Sequence, residues 1–230
     1  MQFKLFDLIE EKEDITTVMK SLSTTCNSCR LSSLHPENRG ILWRGSVNAR
    51  IAVIGEAPGD KETERGAPMV GPSGQEWERW ASLMKLNTST DCFITNIVQC
   101  QPGRVEVKGK MSQEAPDAKE INTCFPNRCL RILKAMPNLE VIITLGWVAA
   151  STILGEPAST KTHEGQWFVS ELIPGVPVFC LLHPSFLLRD PSIEKTKALE
   201  YNLGLFYREY LDPATAKILD ICKENEERLG

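Results

Sequence analysis

The chain has 230 residues, 42% hydrophobic and 24% charged, with 26 basic against 30 acidic side chains and a net charge of −4. That composition excludes a disordered chain or a fibre, and a core of this size buries roughly 70–75% of the unfolded surface without disulfide staples. The longest apolar stretch, Val141 to Ala150, holds Thr144 and Gly146 and is far short of the ~20 residues that span a bilayer. The start, MQFKLFDLIEEKED, is too charged for a secretory segment, so a cytoplasmic protein that does not enter the membrane is expected. The acidic balance argues against a nonspecific nucleic-acid coat and leaves room for a local basic groove.

In chain order, Leu5, Leu8, Ile9, Ile15, Val18, Met19 and Leu22 recur at helical spacing and predict an N-terminal helix within residues 1–24. A cysteine-containing loop follows, then the apolar run Arg50 to Gly55, which reads as a buried parallel strand. A glycine- and proline-rich loop from Glu56 to Pro72 leads to a helix, for which Ser73 is the expected N-cap and Glu76 its capping-box partner. Trp77, Trp80, Ala81 and Met84 form the apolar face of that helix. Three more buried strands are predicted at Cys92–Ile97, Val141–Gly146 and Val176–Leu182, with helices at about 114–137, 147–153 and 193–210 and a further one from Pro213. The alternation predicts one α/β domain over residues 1–230, with four parallel strands between two helical layers.

Open parallel sheets bind ligands at the carboxyl ends of their strands. Here those ends are Gly55-Glu56, Asn96, Gly146 and His183. The eight cysteines are many for a chain without a secretory signal, which points to metal ligation rather than disulfides. Cys26-x-x-Cys29 is a two-ligand hook. Of the possible partners, Cys92 and Cys180 read as core residues and Cys222 lies in the tail. Cys100 sits in a loop and Cys124 precedes Phe125-Pro126, where proline disturbs a helix; Cys129 is their weaker rival. Four thiolates suit a zinc ion or a [4Fe–4S] cluster, and spacing does not separate the two.

Five segments in order carry a family resemblance: Gly55-Glu-Ala-Pro-Gly59 with Glu62, Gly66 to Gly74, Thr95-Asn96-Ile-Val-Gln-Cys100, Thr123-Cys124-Phe-Pro, and Leu182-His183-Pro-Ser185. Together they resemble the iron–sulfur (family four) uracil-DNA glycosylases. The resemblance implies a three-layer αβα sandwich with a central four-stranded parallel sheet. It implies a structural [4Fe–4S] cluster on Cys26, Cys29, Cys100 and Cys124, and a monomer acting on uracil-containing DNA, single- or double-stranded.

A glycosylase must read an everted base, stabilise the leaving anion and place water or a carboxylate near the sugar. Asn96 fits the reader, since an amide offers a donor and an acceptor to a pyrimidine edge. His183 fits donation to a base oxygen as charge develops, with Ser185 shaping its loop. Glu56 is the favoured carboxylate and Glu62 the second choice. Backbone groups of Ala57, Pro58 and Gly59 are expected to cradle base or phosphate. Arg189 and the insert residues Arg104, Lys108 and Lys110 are candidate phosphate contacts. Met69 departs from the family, which usually has Phe there, and predicts weaker or less selective base binding. His35 and His163 read as ordinary loop residues. A non-catalytic or altered-base-specific DNA-binding relative is the alternative function, and an unrelated Cys₄ zinc enzyme a third.

Overall fold

The structure is a computed structural model and describes residues 13–22, 26, 28–34, 40, 43–107, 109–189 and 191–212. It opens with α1 (Ile15–Leu22) and α2 (Arg30–Leu34), followed by β1 (Arg44–Gly45) and β2 (Ile51–Gly55). Next come α3 (Asp60–Arg65), α4 (Pro72–Leu83), β3 (Cys92–Asn96) and a hairpin, β4 (Arg104–Val107) and β5 (Lys110–Gln113). Helices α5 (Ala118–Asn127) and α6 (Cys129–Ala135) lead to β6 (Val141–Leu145), α7 (Trp147–Leu154), α8 (Thr160–His163) and β7 (Trp167–Val169). The last elements are β8 (Pro177–Leu181), α9 (Pro184–Arg189), α10 (Ile193–Phe206) and a wide turn of helix at Tyr207–Leu211.

The main sheet has six strands in the order β1-β3-β2-β6-β8-β7. Its four central strands are parallel, with Ile51 opposite Cys92 and Val141, and Ile142 opposite Val178. Every residue of those four is buried, which is why they read as unbroken apolar runs rather than alternating ones. Alternation decides the layer instead. Ile51, Val53, Ile94 and Ile143 face Trp77, Trp80, Leu199 and Phe206 on one side. Ala52, Ile54, Phe93 and Ile142 face Val18, Phe125, Ile132 and Ile153 on the other. The result is the expected three-layer αβα sandwich, with a parallel core of four strands.

Two antiparallel edge strands extend the sheet beyond that expectation. β1 pairs with β3 and β7 with β8. A two-residue Arg-Gly strand and a half-exposed three-residue strand carry no buried run to read. Helix α4 also starts earlier than expected: Gly71 is the N-cap and Pro72 occupies the first turn, where its fixed φ and missing N–H cost nothing. Ser73 is therefore inside the helix, and Glu76 turns to Arg79 and Trp80 Nε1, both at 2.6 Å. The single helix expected at 114–137 begins at Ala118, capped by Asp117, and breaks at Arg128 (φ −129°, ψ −79°), two residues after Pro126. The part of the N-terminal helix before Glu13 and the tail from Pro213 lie outside the described residues.

Candidate active site

The carboxyl ends of β2, β3, β6 and β8 open into one cavity of about 430 Å³, lined by Glu56, Asn96, Gly146, Trp147 and His183. Two strand-end glycines create the room. A Cβ on Gly55 would stand 2.4 Å from Asn96 Oδ1, and one on Gly146 (φ +88°) would stand 3.1 Å from His183 Cβ. Asn96 is only 3% exposed. Among the described residues its amide, the Glu56 carboxylate and His183 Nε2 have no protein hydrogen-bond partner. A buried amide left unpaired costs about 1–3 kcal/mol, so this one is held open toward the cavity.

The protonation states follow from the contacts. His183 Nδ1 accepts the Ser185 backbone N–H at 3.2 Å and lies 2.9 Å from the Ser185 hydroxyl. The neutral ring then carries its proton on Nε2. Burial first, and then the Arg189 charge, push the His183 pKa down to about 4, against a smaller opposing effect of Glu62. Burial raises the Glu56 carboxyl above its ordinary value, and Arg189 partly offsets this. Arg189 is exposed on the last turn of α9 and lines the same cavity.

Ala57, Gly59, Glu62 and Met69 also line the cavity. Glu62 is neither solvated nor free: it accepts the N–H groups of Gly59 (3.2 Å), Val70 (2.9 Å) and Gly71 (2.7 Å). One carboxylate thus ties the start of α3 to the loop entering α4. Because Glu62 takes the Gly59 N–H and Pro58 has none, the expected backbone cradle at residues 57–59 is reduced to Ala57. Pro58 instead accepts from Gln113 Nε2 of the hairpin, at 3.1 Å. Met69 is 6% exposed and adopts φ +54°, a left-handed conformation that costs an L-residue roughly 1–2 kcal/mol. Arg44 clamps it by donating to the Pro68 and Met69 carbonyls at 2.9 and 3.2 Å. Gly74 passes so close that a Cβ would stand 1.9 Å from the Met69 carbonyl oxygen.

Arg104 of the insert is bound to Asp60 in an ion pair and does not stand free for phosphate; Lys108 lies outside the described residues. His163 is more than a loop residue. It is 9% exposed, stacks on Phe168 at 4.5 Å and lines the far end of the cavity. Trp147 was missed for another reason. Attention at the end of β6 falls on the glycine, and the exposed ring belongs to the residue after it.

A second cavity, of about 290 Å³, is lined by Cys26, Cys29, Cys100 and Cys124. Cys129 is fully buried at the start of α6 and is not among its walls. Cys92 and Cys180 are buried in β3 and β8, and Cys222 lies outside the described residues. The Gln99 backbone N–H donates to Cys124 Sγ at 3.4 Å. Burial pushes the Cys100 and Cys124 thiols up to about 11 and about 12. Burial also opposes ionisation of Cys26, but hydrogen bonds with Ser28 and the Arg128 charge hold its thiol below the ordinary value. The four thiols of Cys26, Cys29, Cys100 and Cys124 thus share one cavity.

The chain is similar in sequence to known proteins. The family model of the uracil DNA glycosylase superfamily matches residues 42–203. The chain is 28% identical over 211 residues to a type-4 uracil-DNA glycosylase of Pyrobaculum aerophilum, covering 85% of this chain and 97% of that one. It is 30% identical over 175 residues to one of Saccharolobus solfataricus (74% and 76%), and 28% identical over 182 residues to one of Thermotoga maritima (77% and 86%). The chain belongs to the uracil-DNA glycosylase superfamily, in its type-4 branch.

Proposed function

We propose that the protein is a monofunctional DNA-repair glycosylase that hydrolyses the N-glycosidic bond of deoxyuridine, releasing uracil and leaving an abasic site. The observation that carries this is the joint placement of Glu56, Asn96 and His183 around one cavity, with the Glu56 carboxylate, the Asn96 amide and His183 Nε2 unspent on the protein among the described residues.

Asn96 reads the everted base. Its amide supplies a donor to a ring carbonyl and an acceptor to the ring N–H, the imide edge of uracil. Its backbone carbonyl accepts from Gln99 Nε2 at 3.0 Å, so the reader's backbone is set before the base arrives. His183, neutral and donating from Nε2, bonds the base oxygen on which negative charge grows as the bond breaks. A donor aimed at developing charge is worth roughly 10²–10³ in rate. Glu56 faces the sugar, where an ionised carboxylate supports the oxocarbenium character and orients the attacking water. Arg189 favours that ionised form and contacts the DNA backbone. Glu62 positions the loop bearing Met69 rather than acting on the sugar, because its oxygens are occupied by three N–H groups.

Cys26, Cys29, Cys100 and Cys124 hold a [4Fe–4S] cluster. The fit is supported by a donor set of four thiols from three chain segments lining one cavity. Arg128, 7% exposed on the cavity wall, offsets the cluster's negative charge. The cluster supplies a structural clamp and no redox step. The protein acts on DNA as a cytoplasmic monomer; among the described residues no helix is long and apolar enough to cross a membrane.

Incubating the brown, cluster-bearing protein with a uracil-containing oligonucleotide, then treating with alkali, should cut the strand at the uracil. An intact strand with retained DNA binding would favour the non-catalytic alternative.

A further inference from the structure

Of the five tryptophans in the chain, four are packed against other rings. Trp77 and Trp80 are fully buried and touch edge to face, Trp43 stacks on Phe93, and Trp167 lies 4.7 Å from Phe179. Trp147 breaks the pattern. It is 54% exposed, with no ring contact and no hydrogen bond to its indole among the described residues, and it stands on the wall of the base cavity.

Its backbone is held firmly. Gly146 caps α7 at φ +88°, donates to the Leu181 carbonyl at 2.8 Å, and packs against His183 so closely that a Cβ would lie 3.1 Å from His183 Cβ. The indole is thereby registered to the histidine yet left uncovered. A large ring left half uncovered beside the cavity gives the fold only part of its apolar surface, and local departures of this kind gather at functional sites. Arg189, exposed and without a hydrogen bond among the described residues, shares the cavity wall.

We propose that Trp147 is a stacking platform for the nucleobase flanking the excised one, and that it biases the enzyme toward single-stranded DNA. This rests on the cavity accepting an everted base, as argued above. The polar groups inside take the target base, and the ring on the wall meets its neighbour as the strand leaves. Stacking on an aromatic side chain is worth about 1–3 kcal/mol per base and tolerates any sequence. Unstacking a base from a duplex costs a few kcal/mol per step. The platform therefore gains nothing net from a paired flanking base and its full value from one already free.

The test uses the full chain with its cluster. Excision is measured on one uracil oligonucleotide, single-stranded and annealed, for the unaltered protein, Trp147→Ala and Trp147→Phe. Trp147→Ala should raise KM on the single strand by roughly 5- to 100-fold, with much less change in kcat and less than about a threefold change on the duplex. Trp147→Phe, which keeps a ring, should restore most of the loss. In a separate titration, uracil-free oligothymidylate should quench tryptophan emission in the unaltered protein. In Trp147→Phe that quenching should largely vanish while fluorescence anisotropy still reports binding. Equal KM changes on both substrates, no KM change, or the same quenching in Trp147→Phe would overturn the proposal. Absence of excision by the unaltered protein would overturn the glycosylase reading instead, and the titration would still decide the role of Trp147.

Discussion

Gln99 Nε2 donates to the backbone carbonyl of Asn96 at 3.0 Å, while the Gln99 backbone N–H donates to Cys124 Sγ at 3.4 Å. The same amide also donates to Thr95 Oγ1 at 3.0 Å. One buried glutamine thus joins Asn96, the proposed base reader, to the cysteine cavity, and Cys100 follows it directly in the chain. A cluster held there would fix the end of the segment whose start carries Asn96. Gln99→Ala removes the side-chain bonds and keeps the backbone one. Visible absorbance of the cluster should persist while uracil excision falls about tenfold, the equivalent of one lost hydrogen bond of about 1–1.5 kcal/mol. Unchanged excision would remove Gln99 from the positioning of Asn96.

The pH dependence separates His183 from Glu56. In the proposed reaction His183 is a neutral donor; its pKa is pushed down to about 4 from 6.5, so no loss should occur as pH falls through 6.5. The proposed role of Glu56 needs a carboxylate, and burial raises its pKa. Its ionised form is therefore lost, on acidification, before an ordinary glutamate would be. Single-turnover excision should stay level across neutral pH and fall on an acid limb above the usual carboxylate range. Glu56→Gln should abolish that limb together with most of the rate. An inflection near 6.5 that disappears in His183→Gln would contradict the neutral assignment.

Glu62 should behave differently from Glu56. Removing its side chain strands three loop N–H groups, each worth about 1–3 kcal/mol if left dry. Glu62→Ala should lower Tm and raise KM as the Met69 loop loosens, with kcat affected less. A loss confined to kcat at unchanged Tm would return Glu62 to the reacting centre.

Met69 presents a thioether where an aromatic ring would be flatter and stiffer. Met69→Phe should tighten uracil binding and raise kcat/KM by a few fold, measured against uracil and cytosine oligonucleotides in parallel. A loss on substitution would show that the left-handed backbone at this residue (φ +54°) is tuned to the smaller chain.

The parts of the fold that could be read in advance are those buried on both faces. Ile51–Gly55, Cys92–Asn96, Val141–Leu145 and Pro177–Leu181 are buried throughout and mostly apolar because each packs on two layers. Asn96 and His183 stood out because polar residues ended those runs. The edge strands did not, since neither Arg44-Gly45 nor Trp167–Val169 needs an apolar pattern. The clamp at Glu62 was illegible for a deeper reason: its partners are backbone N–H groups, which carry no side-chain signature. Trp147 carries no signal beyond opening a helix, and its 54% exposure beside the cavity appears only in the structure.

The central claim is that Asn96 reads a uracil held beside Glu56 and His183. It is tested most directly by single-turnover release of uracil from a defined oligonucleotide by the unaltered protein and by Asn96→Ala, with circular dichroism and cluster absorbance confirming that both are folded and loaded. Release by the first and a fall of roughly 100-fold or more in the second are expected, as for losing a preorganised polar contact to the reacting group. Equal rates in the two proteins would contradict it.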